Sequence, residues 1–159
     1  MNFKLKIFYF LSIILLFTAC SNEGDIEKDL EKPTISINYN DGFPQACAVL
    51  TKGNTYNFKA MVTDNIELAS YSIDIHNNFD HHTHDDQEAT CILEHIKSPV
   101  NPLIYIENFS IPSGLTSYEF DVSVSIPDDI DTGDYHCSYS VTDITGWQSV
   151  TSIDIKIIE

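Results

Sequence analysis

Beyond residue 33 the chain consists of short runs in which apolar and polar residues alternate, without a helical spacing of useful length. Such alternation predicts β-strands that turn one face to a core and the other to solvent. Turn-forming sequences such as "DNIE" and "DITG" separate the runs. We predict seven strands, labelled A to G in chain order, at residues 34–40, 55–63, 69–76, 103–111, 117–126, 134–142 and 149–158.

Seven strands at this spacing, over residues 33–159, predict one all-β domain: a seven-stranded antiparallel immunoglobulin-like sandwich. A long, polar, histidine-rich loop, residues 77–102, follows strand C. Two hallmarks of antibody domains are missing, because the single tryptophan, Trp147, precedes strand G and strand B has no cysteine to bridge to strand F. We therefore expect the immunoglobulin-like layout only.

The first 19 residues have the pattern of a targeting signal. Lys4 and Lys6 precede the apolar run "IFYFLSIILLF", which is too short to be a comfortable membrane span. The run ends in "FTAC", which resembles the lipobox of bacterial lipoproteins, where cleavage occurs before a cysteine that is then lipidated. We predict a lipoprotein signal peptide over 1–19 and lipidation of Cys20; an ordinary secretory signal cut near Ala19 is the alternative.

Residues 20–32 are polar, charged and free of aromatic side chains, which predicts a flexible tether between the anchor and the domain. Acidic residues directly after the lipidated cysteine resemble the surface-export signal of Bacteroidota lipoproteins. We expect an outer membrane lipoprotein, periplasmic or surface-exposed, that touches the membrane through its N-terminal lipid only.

The charge of the chain narrows the range of partners. The formal net charge is −16, and all eight cationic side chains are lysines. A field this negative repels nucleic acid and anionic lipid and attracts cations. Without arginine, the chain also lacks the bidentate clamps that recognise phosphate and carboxylate groups. We therefore expect a metal ion as a partner, and no nucleic acid.

Four of the six histidines lie within "DIHNNFDHHTHDD", residues 74–86. Side chains alternate across a strand, so His76 of strand C and His136 of strand F both face away from the apolar side. In an immunoglobulin-like sandwich strands C and F are antiparallel neighbours, and the end of C lies beside the start of F. We therefore expect His76 and His136 to be cross-strand neighbours on the outer face of the sheet.

The loop after strand C adds His82 and His84, whose spacing lets both rings reach one ion on extended backbone. Together with His76 and His136, these two rings would complete a tetrahedral site suited to zinc. Copper and nickel also accept imidazole ligands and are the alternatives. The sequence therefore predicts a four-histidine metal site.

Carboxylates surround this predicted site. Asp80 or Asp85 would replace one ligand or orient a ring, and the acidic run "DDIDTGD", residues 128–134, would lower the electrostatic cost of holding a dication. The alternative is that "DHHTHDD" is a solvated polar loop without a fixed ligand. We expect His95, for which we identify no partner, to lie on the surface.

Three cysteines remain beside Cys20, an odd number for an oxidising compartment. If chain direction alternates from strand to strand, Cys47, Cys91 and Cys137 all lie near the histidine end of the sandwich. We predict a Cys47–Cys91 disulfide with Cys137 buried as a small apolar residue, and Cys47–Cys137 is the competing pair.

Three segments, "DIHNNFDHHTH", "SIPDDIDTGDYH" and "SVTDITG", resemble a family of Bacteroidota lipoproteins classed as a domain of unknown function. The resemblance covers about residues 33–157 and carries over, position by position, to His76, His82, His84 and His136. It implies an immunoglobulin-like lipoprotein domain without an established activity, and the histidines at these positions imply a metal. Members often have an aromatic residue where this chain has Cys137.

Two function classes follow from these patterns. The first is a lipid-anchored extracytoplasmic domain that binds a transition metal, with zinc as the first choice. The alternative is a metal-independent adhesion module for glycan or protein, whose histidines are incidental or sense pH and whose contacts would be Tyr105, Phe109 and Tyr118. The chain has neither an HExxH motif nor a nucleophile elbow, so we predict that it is not an enzyme.

Overall fold

The computed structural model describes residues 29–84 and 91–159, which form two packed β-sheets. Within these residues there is no helix, and the strands are β1 (Thr34–Ser36), β2 (Ala48–Thr51), β3 (Thr55–Thr63), β4 (Leu68–Asn77), β5 (Tyr105–Ser110), β6 (Ser117–Ser125), β7 (Gly133–Asp143) and β8 (Gln148–Ile158). One sheet has the order β1-β3-β6, and the other has the order β2-β8-β7-β4-β5. The predicted all-β class is confirmed.

Alternate side chains of the long strands form one apolar core between the sheets. Phe58 and Ala60 of β3 are fully buried, as are Ile73 of β4 and Tyr139 of β7. Burying one large apolar side chain contributes roughly 1.5–3 kcal/mol. The core is also aromatic: the Tyr71 ring stacks on the rings of Phe109 and Phe120, with centroids 4.9 and 4.3 Å away, and the tilted ring of Tyr118 lies 6.1 Å away.

The structure contains one strand, β2, that the sequence did not predict. The described residues contain eight strands rather than seven, because β2 pairs in parallel with β8. The amide of Cys47 donates to the carbonyl of Asp154 (2.8 Å) and sets β2 beside β8. Strand β2 has only four residues, of which Leu50 alone is fully buried, so it is too short to show the alternation that predicts a strand. The prediction of a purely antiparallel sandwich was therefore wrong at this edge.

The pairing that matters for the site is confirmed. Strands β4 and β7 are antiparallel, and His76 stands directly opposite His136. On the other side of β7, His136 stands opposite Asp154 of β8. Because Ile75 and Cys137 point into the core, these three side chains share the outer face of the five-stranded sheet.

The predicted disulfide between Cys47 and Cys91 is present, and Cys137 is a buried free thiol. The competing Cys47–Cys137 pair is therefore not formed. Burial raises the pKa of the Cys137 thiol, which keeps it protonated and unreactive. The bridge joins the connection before β2 to the long loop after β4, at the end of the sandwich where His76 lies.

Several predictions fall outside the described residues: the signal peptide over 1–19, lipidation of Cys20, the tether up to residue 28, and Asp85. The last part of the predicted tether, residues 29–32, is described, and Asp29 is buried against the domain. Among the described residues, no helix is long and apolar enough to cross a membrane.

Candidate metal centre

Two histidines of the site are held by the five-stranded sheet, and each has a carboxylate partner. His76 Nδ1 lies 2.8 Å from Asp74 Oδ1, two residues earlier on the same face of β4. His136 Nδ1 lies 2.9 Å from Asp154 Oδ1, its cross-strand neighbour on β8. The sheet therefore fixes both the position and the orientation of these rings.

The loop that follows β4 is fastened to the domain before it reaches the site. The amide of Asn78 donates to the carbonyl of Asp134 (2.8 Å), and Phe79 is buried against Tyr135 with the ring centroids 5.3 Å apart. His81 then adopts a left-handed backbone conformation (φ 60°), which is uncommon outside glycine and marks a sharp change in chain direction. The chain continues over the sheet and brings His82 and His84 to His76.

Three imidazoles converge on one point. His76, His82 and His84 each offer a ring nitrogen, and these nitrogens all lie within 4.8 Å of one another. The Nε2 atoms of His76 and His82 are 3.3 Å apart. Two nitrogens bound tetrahedrally to one zinc ion, at the usual bond length, are separated by about 3.3–3.4 Å. This pair therefore already has the spacing of zinc ligands.

Carboxylates determine which nitrogen is available in the rings of His76 and His82. Asp80 Oδ1 lies 2.6 Å from His82 Nδ1, in the same arrangement as Asp74 with His76. An Nδ1–H group that donates to a carboxylate leaves the Nε2 lone pair free to accept. Two such lone pairs at 3.3 Å repel each other unless a proton or a metal ion lies between them. With this tautomer, the arrangement suits a bound cation.

His84 has the environment of a neutral ligand. Its Nε2 atom is buried and has no hydrogen-bond partner among residues 29–84 and 91–159. Burial, followed by the neighbouring His76 and His82, lowers the pKa of His84 below its ordinary value. A histidine that stays neutral keeps its lone pair for a metal, because a proton and a metal compete for the same nitrogen.

His136, predicted as the fourth ligand, lies beside the triad rather than in it. Its ring centroid is 4.7–5.5 Å from those of His76, His82 and His84. Its Nε2 lies 3.1 Å from the backbone carbonyl oxygen of His82. The ring is only 1% exposed because the loop covers it, and this burial lowers the pKa of His136. The described structure thus assembles three nitrogens, with the fourth ring adjacent.

The remaining candidates have different positions. Asp80 contacts the His82 ring, as a ring-orienting carboxylate would, whereas His81 points towards Asp134, with Nε2 and Oδ2 3.8 Å apart. His95 is exposed, as predicted. A cavity of about 20 Å³ lies between His82, His136 and Asp154, with room for one water or one small ion.

Two carboxylates of the site were missed by the sequence reasoning. Asp154 is flanked by the buried residues Ile153 and Ile155, so alternation alone puts it on the outer face of β8. Asp74 has the same parity as His76 on β4. The signal that could have found both was the outer-face alternation already used for the histidines.

The fold is an all-β sandwich with a histidine cluster at one end. The chain belongs to the family described as "Domain of unknown function (DUF4625)", which matches residues 18–158. The predicted resemblance to a family of unknown function is confirmed at this level.

No curated protein matches the chain. Several solved structures are similar to it, among them the following two. The first is described as "GspB Siglec domain", with 18% identity, a TM-score of 0.43, and coverage of 82% of this chain and 59% of that one. The second is Spo0M, a sporulation control protein from Bacillus subtilis, with 12% identity, a TM-score of 0.41, and coverage of 80% of this chain and 49% of that one. The chain therefore spans about three fifths of the length of the first structure and about half of the length of the second.

Proposed function

We propose that this protein is a lipid-anchored, extracytoplasmic sandwich of immunoglobulin type that binds a transition metal, with zinc as the first choice. His76, His82 and His84 are the primary ligands, and His136 is the fourth. The observation that carries the proposal is the convergence of three imidazole nitrogens within 4.8 Å.

The donor set favours this class of metal. Neutral imidazole binds zinc, copper and nickel well, whereas calcium and magnesium prefer oxygen. The carboxylates of Asp74, Asp80 and Asp154 each bond the Nδ1 of one ring, which makes its Nε2 a stronger ligand. Their negative charges also offset the charge of a dication in a half-buried site.

His136 completes the set in this proposal because its ring is already within 5.5 Å of the other three centroids. Ligation requires its Nε2 to exchange the His82 carbonyl for the metal. Four imidazole ligands leave no open position for a reacting water, so the site serves binding rather than catalysis. Capture for uptake, buffering and loop stabilisation are the roles that this chemistry suits.

The location is part of the same proposal. A Cys47–Cys91 disulfide suits an oxidising compartment outside the cytoplasm. The signal pattern over residues 1–19 and Cys20 would place the chain on the outer membrane, attached through lipid and facing the periplasm or the exterior. No nucleic acid is expected at a net charge of −16.

The test is metal stoichiometry, measured by elemental analysis on protein purified without a polyhistidine tag and equilibrated with zinc, copper or nickel. We expect about one zinc per chain in the native protein and a loss of that zinc in the H76A/H136A and H82A/H84A double variants. The matched control is His95→Ala, which removes an exposed imidazole outside the cluster. Unchanged stoichiometry in both double variants, with folding verified by circular dichroism, would refute the site.

Chelation separates this proposal from the metal-independent adhesion module. A bound metal stabilises the folded state according to its concentration, by about 2.7 kcal/mol at one hundred times Kd. The melting temperature should therefore fall when zinc is removed and recover when zinc is restored. A melting temperature that does not change when zinc is removed or restored favours the adhesion module. Two of the three contacts predicted for that module, Phe109 and Tyr118, pack on Tyr71.

A further inference from the structure

A second cluster of charged side chains lies at the opposite end of the sandwich. It consists of Asp29, from the segment before β1; Asp64, from the turn after β3; and Asp143, the last residue of β7. One carboxylate oxygen from each residue lies within 4.8 Å of the other two. Three segments that are remote in sequence therefore bring their negative charges to one point.

Two oxygens of this cluster are buried without a hydrogen-bond partner in the described part of the chain: Asp64 Oδ1 and Asp143 Oδ2. The side chain of Asp143 is almost fully buried, at 2% exposure. Its other oxygen, Oδ1, accepts from the amides of Thr145 (2.7 Å) and Trp147 (3.0 Å). Asp64 Oδ2 likewise accepts from two amides, those of Ile66 and Glu67. Each residue thus fixes its turn with one oxygen and leaves the other unsatisfied.

Within the described part of the chain, no positive charge is paired with the cluster. None of the three carboxylates forms an ion pair with a lysine or histidine among residues 29–84 and 91–159. Asp29 remains ionised, because a hydrogen bond from the Glu31 amide holds the pKa of its carboxyl below the ordinary value. Asp29 and Asp143 are buried and Asp64 is half-buried, and unpaired carboxylates that face one another in such a place are costly, so a bound cation would stabilise the folded state.

We propose that Asp29, Asp64 and Asp143 form a calcium-binding site. Calcium takes six to eight oxygen ligands in flexible geometry, and carboxylates bind it through one or both oxygens. Three aspartates supply several of these ligands, and water can supply the rest. An all-oxygen set does not select zinc or copper, so this site is chemically distinct from the histidine cluster.

Calcium at this position would fasten the segment that leads into the domain. Asp29 already contacts Asn65 Nδ2 (3.1 Å) and Thr145 Oγ1 (3.3 Å), and its carbonyl accepts from the indole of Trp147 (3.2 Å). One ion would join this segment to the turns after β3 and β7. Bound calcium would thereby make the attachment of the segment before β1 to the domain more rigid.

The experiment uses calcium titration calorimetry, together with terbium as a luminescent calcium substitute. Trp147 is the only tryptophan of the chain, so terbium emission excited at a wavelength that tryptophan absorbs and tyrosine does not reports on binding close to this residue. We expect one site, with a calcium Kd of about 10⁻⁴–10⁻³ M, as in extracellular modules. Calcium should displace terbium from the site, and an absence of sensitised emission would overturn the proposal.

Isosteric variants distinguish a built site from loose attraction to an acidic protein. Asp64→Asn and Asp143→Asn keep an oxygen acceptor for the turn amides, and each should weaken calcium binding by at least about tenfold. Asp129→Asn, an exposed aspartate outside the cluster, removes the same charge and should change little. Equal losses in all three variants would reject the site. Because His76→Ala should leave calcium binding intact, failure of the zinc site and failure of this site are separable.

Discussion

The two ends of strands β4 and β7 use carboxylates in opposite ways. Leu68 faces Asp143 at one end of this strand pair, and His76 faces His136 at the other. Eight residues of extended chain separate these ends by about 26 Å. At the histidine end each carboxylate stands behind an imidazole ring, whereas at the aspartate end the carboxylates face one another directly.

If both proposed metal sites exist, this contrast explains how a strongly negative chain discriminates between cations. A net charge of −16 attracts every cation, so the overall field cannot select one metal over another. Selection has to come from the atoms at the centre: nitrogen at the histidine end and oxygen at the aspartate end. Substitutions at three places, with effects that decrease from the disulfide to a surface ion pair, test whether the two ends act independently.

The largest effect is expected from the disulfide. The bridge spans a sequence separation of 44 residues, and the chain-entropy model assigns it about 4 kcal/mol of the free energy of unfolding. The C47A/C91A variant should lose stability of that order in urea unfolding. It should also bind zinc more weakly than the native protein, because the bridge fixes the loop that carries His82 and His84.

The aspartate end provides the internal control for this variant, because the bridge does not touch its turns. Calcium affinity should remain at the native value in calorimetry. An equal loss of zinc and calcium affinity would mean that the two ends are not independent.

A smaller effect is expected from the carboxylates that orient the rings. Asp154→Asn, at the buried pair with His136, should reduce zinc affinity by roughly 10–100-fold, and Asp80→Asn should have a smaller effect because Asp80 is exposed. Competition with a zinc-sensitive dye measures this loss. Asp121→Asn, on the other sheet, is the matched control, and a similar loss in that variant would show that net charge rather than ring orientation governs affinity.

The smallest effect on stability is expected from an ion pair that belongs to neither end of the sandwich. Lys59 and Asp121 form an ion pair of 2.9 Å on the three-stranded sheet, with both side chains partly exposed to solvent. Lys59→Ala should change the free energy of unfolding by less than about 1 kcal/mol, because screened surface pairs contribute little. Neither zinc nor calcium affinity should change, and a shift in either would reveal long-range coupling through the sheet.

The histidine end could be predicted from the sequence because strand alternation and strand order determine where its two strand histidines lie. Alternation places His76 and His136 on the outer face, and the neighbour order of the sandwich places them opposite each other. The same reasoning did not reach β2, whose four residues are too few to show alternation and whose position depends on a contact between Cys47 and Asp154.

The parts that sequence could not supply depend on the path of loops and turns. The burial of His136 follows from the loop that covers it, and that path depends on Phe79 entering the core and on the turn at His81. The aspartate cluster joins three segments whose meeting point is set by turn conformation rather than by strand parity. Such positions carry no periodic signal.

The entry point of the chain has a consequence for orientation. Asp29 joins the domain at the aspartate end, and the cluster of His76, His82 and His84 lies at the far end of the same strands. The described chain therefore enters the domain at one end of the sandwich, and the imidazoles lie at the opposite end. If the lipid anchor and the metal site proposed above both hold, a donor or recipient of the metal would reach the end of the domain that is remote from the anchored segment.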